Sequence, residues 1–299
     1  MKRLRTMLVM TFLAGPALGF APATDGDAGA HAIAAPTVPA PPTAPAPPAT
    51  KPQPRKPQIG GADAGYDIVL ASVVNERGLV RYENLAQGVA REALSAAVTI
   101  YGQVELPADS RARLAFWINA YNANVLRLAA EESRKPGFTS VKSVPGFFDK
   151  TTITVAGESM TLGDLEEVKI KSLGDPRSHA ALVCAAMSCP PLRKDPYSAG
   201  KLDAELDDQC KRWINDETKF HVKDGALHVS TILEWHKDEF TGKPFGDRLG
   251  FVHHYADPAG PIAAALAAPE APDVKPIEYD WSLNQAPPPA PKPAAPAQP

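Results

Sequence analysis

Residues 113–128 read RLAFWINAYNANVLRL, and their apolar side chains recur at steps of three and four. This spacing places a broad apolar face on an α-helix, which we predict to run from about residue 111 to residue 132. Asp109 or Ser110, directly before it, is expected to cap the helix N-terminus. A long helix with such a face is predicted to lie at the centre of one globular domain.

Two asparagines, Asn119 and Asn122, interrupt the apolar pattern of this helix. Asn is a poor residue for a helix interior, because its side chain competes for backbone hydrogen bonds. Since the two amides are three positions apart, both can reach a common point. They either hold the backbone of a neighbouring loop, as buried amides usually do, or line a ligand site. The sequence leaves both interpretations open.

A second informative stretch, residues 175–192, reads DPRSHAALVCAAMSCPPL. It places Arg177, His179, Cys184 and Cys189 within fewer than twenty positions. Alternating small and apolar residues between two proline-containing ends predict a short buried strand over residues 179–184. We expect this strand to lie beside the central helix, with a pocket between them.

The remaining pattern alternates between helices and strand pairs, which predicts an α+β domain with helices packed on a small, mainly antiparallel sheet. Helices are predicted over about residues 66–75, 84–97, 161–173, 203–216, 230–240 and 247–255. Hairpins are predicted for 151–155 with a return through Met160, and for 219–222 with 226–230 around Asp224–Gly225. The aromatic segment 277–284 is expected to pack back on the domain.

The N-terminus has the three parts of a secretory signal peptide. A basic start is followed by a short apolar run and by small residues before Ala21, so residues 1–21 are predicted to be removed on export. The apolar run is shorter than the roughly 20 residues of a membrane span, so no transmembrane segment is expected after removal. The predicted location is therefore periplasmic or secreted.

Prolines mark the other segments of the chain. Eleven of the 32 prolines fall in residues 22–58 and seven in residues 285–299, which predicts a disordered linker and a disordered tail around a globular domain at 59–284. The net charge is only −3, with 31 basic and 34 acidic residues. This balance favours neither nucleic acid nor an anionic membrane as a partner.

Six motifs in order carry a resemblance to a known family: GLVRYENL, RLAFWINAYNANVL, TLGDLEE, DPRSHAALVCAAMSCPPL, VSTILEWHKDEF and YDWSLN. Over about residues 66–284 the chain resembles the domain of unknown function 547 family. The resemblance implies an exported bacterial protein with an α+β domain similar to papain-like and transglutaminase-like folds. In that family an aromatic commonly follows the histidine and a glycine the first cysteine, where this chain has Ala180 and Ala185.

One hypothesis for the chemistry is a thiol-dependent hydrolase or acyl transferase. Cys184 would be the nucleophile and His179 its base, with Asn119, Asn122 or Asp175 orienting the imidazole. Side chains alternate along a strand, so positions 179 and 184 point to opposite faces unless the strand ends in a turn. The predicted catalytic set is His179, Cys184 and Asn119.

The other hypothesis is an envelope protein that binds an anionic small molecule or a peptide-like ligand, because a guanidinium suits a carboxylate. Its predicted pocket is lined by Asn119, Asn122, Arg177 and His179. Cys184 and Cys189 would form a disulfide, which an exported protein permits, and Cys210 is predicted to be a buried core thiol.

No metal or other cofactor is predicted. His179, Cys184 and Cys189 offer one ligand too few for a structural zinc site. Glu166 and Glu167 are interpreted as a solvated helix face. In the 230–240 segment, His236 can contribute to the pocket, whereas Trp235 is expected in the core.

Overall fold

The longest helix is the one that residues 113–128 predict. In a computed structural model, which describes residues 58–288, it is α4, Ser110–Glu132. The Asp109 side chain caps it by accepting a 2.8 Å hydrogen bond from the Ala112 N–H. Sixteen of its 23 residues are buried, so α4 lies inside the domain rather than presenting one face to it. The predicted helix and its cap are confirmed, and the burial exceeds the single face that was expected.

Further helices lie on both sides of α4 in the sequence, and α1 and α3 both contact it. They are α1 Ile59–Val73, α2 Tyr82–Leu85, α3 Gly88–Gln103, α5 Leu162–Asp164, α6 Ser178–Ala181, α7 Leu202–Ile214, α8 Thr231–Trp235, α9 Arg248–Tyr255 and α10 Pro261–Leu266. The chain continues from α5 through a π-helical turn, Leu165–Ile170, and a 3-10 turn, Lys171–Leu173. Other 3-10 turns are Val141–Ser143 and Lys237–Glu239. Helix α10 was not predicted.

Two small sheets complete the α+β fold. Strands β1, Thr152–Val155, and β2, Glu158–Thr161, form an antiparallel hairpin. Strands β3, His221–Lys223, and β4, Ala226–Val229, form another through the predicted Asp224–Gly225 turn, whose residues both have positive φ. Strand β5, Asp273–Pro276, pairs with β4 in parallel. Two of the three pairings are therefore antiparallel, as expected.

The predicted strand over residues 179–184 is wrong. His179 lies in the short helix α6, and the chain becomes extended only at Leu182. The extended backbone then bonds to the side-chain amide of Asn122, which donates to the Ala181 carbonyl at 2.9 Å and accepts from the Val183 N–H at 3.0 Å. A side chain, rather than a neighbouring strand, satisfies this backbone, and alternation along the sequence does not distinguish the two cases.

The C-terminal aromatic segment returns to the domain, as predicted. Asn284 accepts a 2.9 Å backbone hydrogen bond from Val80, and Ser282 accepts one of 2.8 Å from Met187. These bonds fix the segment beside residues 184–189. Two apolar clusters form the core, one mainly around α1, α3 and α4 and the other around α7, β4 and α9, and a cleft lies where they meet.

The predicted signal peptide, residues 1–21, lies outside the described residues, as do nearly all of the predicted linker and most of the predicted tail. Within residues 58–288, the helices are all too short or too polar to cross a membrane.

Candidate functional site

The cleft between the two apolar clusters is a cavity of about 180 Å³. It combines an aromatic wall with a few polar groups, which is the usual composition of a ligand site. Its lining comprises Tyr121, Phe148, Glu166, His179, Leu182, Cys184, Cys189, Ile232, Trp235, His236, Tyr279 and Trp281. The lining therefore draws on α4, α6, α8 and the returning C-terminal segment.

We call Glu166, His179 and His236 the cleft floor. Glu166 comes from the π-helical turn, His179 from α6, and His236 from the residue that ends α8. One donor atom from each lies within 4.8 Å of the others. The two imidazoles stack with ring centroids 4.1 Å apart. Three elements distant in sequence therefore bring a carboxylate and two imidazoles together.

Glu239 lies behind both histidines. Its Oε2 is 2.9 Å from His179 Nε2, and its Oε1 is 3.3 Å from His236 Nδ1 and 2.6 Å from Lys171 Nζ. Burial alone would raise the pKa of Glu239, but the bonds from His179 and Lys171 outweigh burial and lower the pKa to about 2. Glu239 is therefore ionised at neutral pH, and it fixes the orientation of both rings.

Glu166 has a different environment. The Tyr121 hydroxyl donates to its Oε2 at 3.2 Å, and burial raises the pKa of the carboxyl group even though His179 and Tyr121 favour its ionised form. Burial also lowers the pKa of His236 to about 4, with further contributions from His179 and Lys171. His236 is therefore a neutral imidazole at pH 7. The interpretation of Glu166 as a solvated residue was wrong, because the Leu165–Ile170 turn directs it into the cleft.

We call Trp235, Tyr279 and Trp281 the aromatic wall. Their ring centroids lie 4.6–6.1 Å apart, so the three rings form one continuous surface. Trp235 is 52 % exposed, which contradicts its expected place in the core. A large aromatic side chain that is half exposed at the edge of a cavity is available to contact a ligand.

Cys184 and Cys189 both line the cavity, and their sulfur atoms lie at disulfide distance. The Tyr279 hydroxyl is 3.1 Å from Cys184 Sγ and 3.2 Å from Cys189 Sγ. Ala185, at the position where the family commonly has glycine, has a φ of +63°. The chain therefore makes a left-handed turn directly after Cys184, which returns it towards Cys189. Cys210 is buried in α7, as predicted.

Both predicted asparagines hold backbone. Asn119 donates to the Tyr197 carbonyl at 2.8 Å and accepts from the Tyr197 N–H at 2.9 Å. Asn122 makes the equivalent pair of bonds to residues 181 and 183. Among residues 58–288, the cavity lining includes neither of them. Asn122 nevertheless positions the segment that joins His179 to Cys184.

Arg177 lies apart from the cleft floor. It bonds to Asp175, Asp203 and Asp207 at 2.6–2.8 Å, and Arg111 bonds to Asp175 and Asp203. We call these five residues the arginine network. Burial would lower the pKa of Arg177, but the three carboxylates outweigh it and raise the pKa. The guanidinium N–H groups of Arg177 that would bind a ligand carboxylate already bond to aspartates.

The structure thus brings the predicted residues His179, Cys184 and Cys189 to one cavity, together with Glu166 and the aromatic wall. Glu239 lies behind the two histidines. The sequence did not assign Glu166, Glu239 or the aromatic wall to a site. Glu166 lies in the TLGDLEE motif, and both His236 and Glu239 lie in VSTILEWHKDEF. The sequence gives the order of these motifs along the chain. It does not show that they line one cavity, because no local pattern connects two motifs that lie about seventy residues apart.

The family comparison covers part of the chain. Residues 107–214 match the family model described as "Protein of unknown function, DUF547", so this segment belongs to the domain of unknown function 547 family. No curated protein and no solved structure matches the chain. The implied similarity to papain-like and transglutaminase-like folds therefore stays a prediction.

Proposed function

We propose that this protein, of which residues 107–214 match the domain of unknown function 547 family, is an exported envelope protein whose cleft binds a small or peptide-like ligand. The observation that carries the proposal is the aromatic wall, which lines the cavity beside the polar cleft floor and of which Trp235 is exposed. Ligand sites commonly combine apolar and aromatic walls with a few convergent polar groups. Export rests on the sequence of residues 1–21 and on a cysteine pair that suits an oxidising compartment.

The size of the cavity limits what enters it. Its volume of about 180 Å³ is below the roughly 300–1,000 Å³ of pockets that enclose whole drug-sized ligands. One ring or one side chain fits, and the rest of a larger ligand lies along the aromatic wall outside. A peptide-like ligand that inserts one side chain meets this condition.

The polar groups favour ligands that donate hydrogen bonds. The Glu166 carboxylate accepts such bonds, and a neutral His236 offers one acceptor nitrogen. An anionic ligand is less suited, because Arg177 is engaged by its three aspartates. The proposed ligand therefore presents N–H or O–H groups to the floor, as peptides do.

The thiol-dependent alternative is supported by one observation, that Cys184 and His179 line the same cavity. It requires Cys184 as a free thiolate, since only the thiolate is a nucleophile. The imidazole has Glu239 as an orienting partner instead of the expected Asn119. Pairing of Cys184 with Cys189 blocks this chemistry until the pair is reduced.

The proposal is tested with purified full chain and a panel of tripeptides that differ only in the central residue, with N-acetylglucosamine included as a ring of another class. Binding is read from tryptophan fluorescence and by calorimetry, before and after reduction and iodoacetamide treatment. We expect saturable binding of a ring-bearing member by the untreated protein. Replacing one wall residue, Trp235→Ala or Trp281→Ala, should weaken it about two- to twelvefold, from the roughly 0.5–1.5 kcal/mol of an aromatic contact.

The matched control is Val89→Ala, because Val89 is 75 % exposed and is remote from the cleft in sequence and contacts. Its affinity should equal that of the unmodified chain. Equal affinity in the tryptophan variants, or no binding by any panel member, would contradict the proposal. Turnover of a panel member only after reduction, abolished by alkylation of Cys184, would favour the thiol alternative.

A further inference from the structure

We propose that the cleft floor is a binding site for a divalent transition-metal ion of the zinc class, held by Glu166, His179 and His236. Two imidazoles and one carboxylate form a ligand set that suits zinc and its neighbours in the first transition row. The inference goes beyond the ligand proposal, because it concerns the floor rather than the aromatic wall.

The first argument is distance. The three donor atoms lie within 4.8 Å of one another. Tetrahedral zinc with bonds of about 2.0–2.1 Å separates its ligand atoms by about 3.4 Å, so the donors need to close by at most about 1.4 Å. Rotation of the side chains supplies a movement of this size without any change of the backbone.

The second argument is the set of groups behind the ligands. Zinc-bound histidines usually give their other ring nitrogen to a carboxylate or carbonyl. Here Glu239 holds Nε2 of His179 and Nδ1 of His236, which leaves Nδ1 of His179 and Nε2 of His236 for the ion. The Tyr121 hydroxyl, in turn, holds Oε2 of Glu166 and leaves Oε1. Each ligand residue therefore already has a hydrogen-bond partner at an atom that the ion would not use.

The third argument is what the three groups lack. Within residues 58–288, no hydrogen bond joins Glu166 to either imidazole, although one ligand atom of each residue lies within 4.8 Å of the others. The half-buried Glu166 carboxyl group has one tyrosine hydroxyl as its side-chain partner among these residues. A divalent cation between the three groups satisfies all of them at once.

The geometry also distinguishes the kind of site. Structural zinc sites have four protein ligands, whereas sites that act on a bound molecule have three and keep one position open. This floor offers three ligands, and all three line the cavity. The open position therefore faces the space that a ligand enters.

The test uses the full chain stripped with EDTA and studied without reductant, so that the Cys184–Cys189 pair does not offer thiolates. Zinc is titrated by calorimetry, and cobalt is titrated by visible absorption, which reports on coordination geometry. One ion per chain is expected. Removing a ligand, by Glu166→Gln or His236→Ala, should weaken zinc binding by at least about 100-fold, and Glu239→Gln by about 10- to 100-fold.

Two controls separate this site from others. His228→Ala removes a ring of the stacked His221–His228 pair on the β3–β4 hairpin, which is a second pair of adjacent imidazoles that could hold adventitious zinc. Val89→Ala changes an exposed side chain outside the cavity lining. Both should bind zinc as the unmodified chain does. Zinc titration needs no organic ligand, so failure of the ligand proposal and failure of this one are distinguishable.

Circular dichroism and unfolding curves establish that each variant is folded, and His236→Ala tests the same site if Glu166→Gln fails this check. Unchanged zinc affinity in a folded His236→Ala variant would overturn the proposal. Loss of binding in His228→Ala, or binding that appears only after reduction, would overturn it as well.

Discussion

Two clusters of charged and titratable residues each include a residue at the start of the short helix α6, and these two residues are two positions apart. Arg177 precedes the helix and belongs to the arginine network, whereas His179 lies within it and belongs to the cleft floor. In the arginine network, each guanidinium contacts at least two carboxylates, and each carboxylate has an arginine partner. On the floor, Glu166 has one tyrosine hydroxyl as its partner among the described residues.

This difference indicates which cluster serves the fold and which serves function. In the arginine network every charge is paired with an opposite charge, so no free charge is left for a ligand and the network contributes to stability. The cleft floor keeps one carboxylate oxygen and two ring nitrogens without a hydrogen bond among the described residues, so these atoms are available to a ligand. Residue type alone gives the opposite ranking, because arginine beside aspartates is a common pattern for anion recognition.

The largest expected effect is on the arginine network. Replacing Arg177 with leucine leaves Asp175 with Arg111 as its one charged partner and leaves Asp207 with the Tyr255 hydroxyl, so we expect a loss of about 2–3 kcal/mol in the free energy of unfolding. The loss stays below that of a fully buried pair, because Asp203 and Asp207 are partly exposed. Urea denaturation in EDTA measures it.

The control is Lys194→Ala, which removes a solvent-exposed ion pair with Glu76 and should leave the free energy of unfolding almost unchanged. If Arg177→Leu and Lys194→Ala lower the free energy of unfolding by the same amount, the arginine network contributes no more to stability than an exposed ion pair does. Zinc affinity should be unaffected in the Arg177→Leu variant, provided that it folds.

The second effect is on pH dependence. Burial opposes ionisation of Asp175 and Asp207, but the bonds from Arg177 outweigh it and hold the pKa of both carboxyl groups below the ordinary value. A lowered folded-state pKa gives stability that is present above the unfolded pKa, near 4, and is lost as the pH falls through the folded value.

The free energy of unfolding should therefore fall more steeply below about pH 4 in the unmodified chain than in an Asp175→Asn variant. Thermal unfolding at half-unit steps between about pH 2 and pH 6 measures both slopes. Parallel curves would show that protonation of Asp175 does not drive the acid loss.

The smallest effect is expected at the cleft floor. There, a substitution should raise the free energy of unfolding, whereas Arg177→Leu should lower it. Burial raises the pKa of Glu166, so the ionised carboxylate is less stable in the folded protein than in the unfolded chain. Glu166→Gln in EDTA should raise the free energy of unfolding at pH 7 by about 1 kcal/mol.

Adding zinc should reverse the order, because an ion that binds only the folded state stabilises the unmodified chain and not the variant. Thermal unfolding with and without zinc measures both signs. If the Glu166→Gln variant is less stable than the unmodified chain in EDTA, the Glu166 carboxylate stabilises the fold, as the charges of the arginine network do, and this prediction is wrong.

Local patterns predicted most elements of this fold correctly. The apolar spacing of 113–128 and the Asp109 cap act over one or two turns, so their residue types suffice to predict them. The strand predicted over 179–184 failed because its backbone partner is the amide of Asn122, about sixty positions earlier in the chain. Of the site, the sequence identified His179 and the two cysteines but not Glu166 or Glu239.

By itself, the sequence determined the α+β class, the central helix and the family of residues 107–214, since each depends on neighbours along the chain or on an ordered set of motifs. Only the tertiary structure decided which charged residues are satisfied and which are left open. The reason is physical: the pKa and bonding of Glu166, His236 and Arg177 depend on burial and on partners from distant segments, and these exist only once the chain has folded.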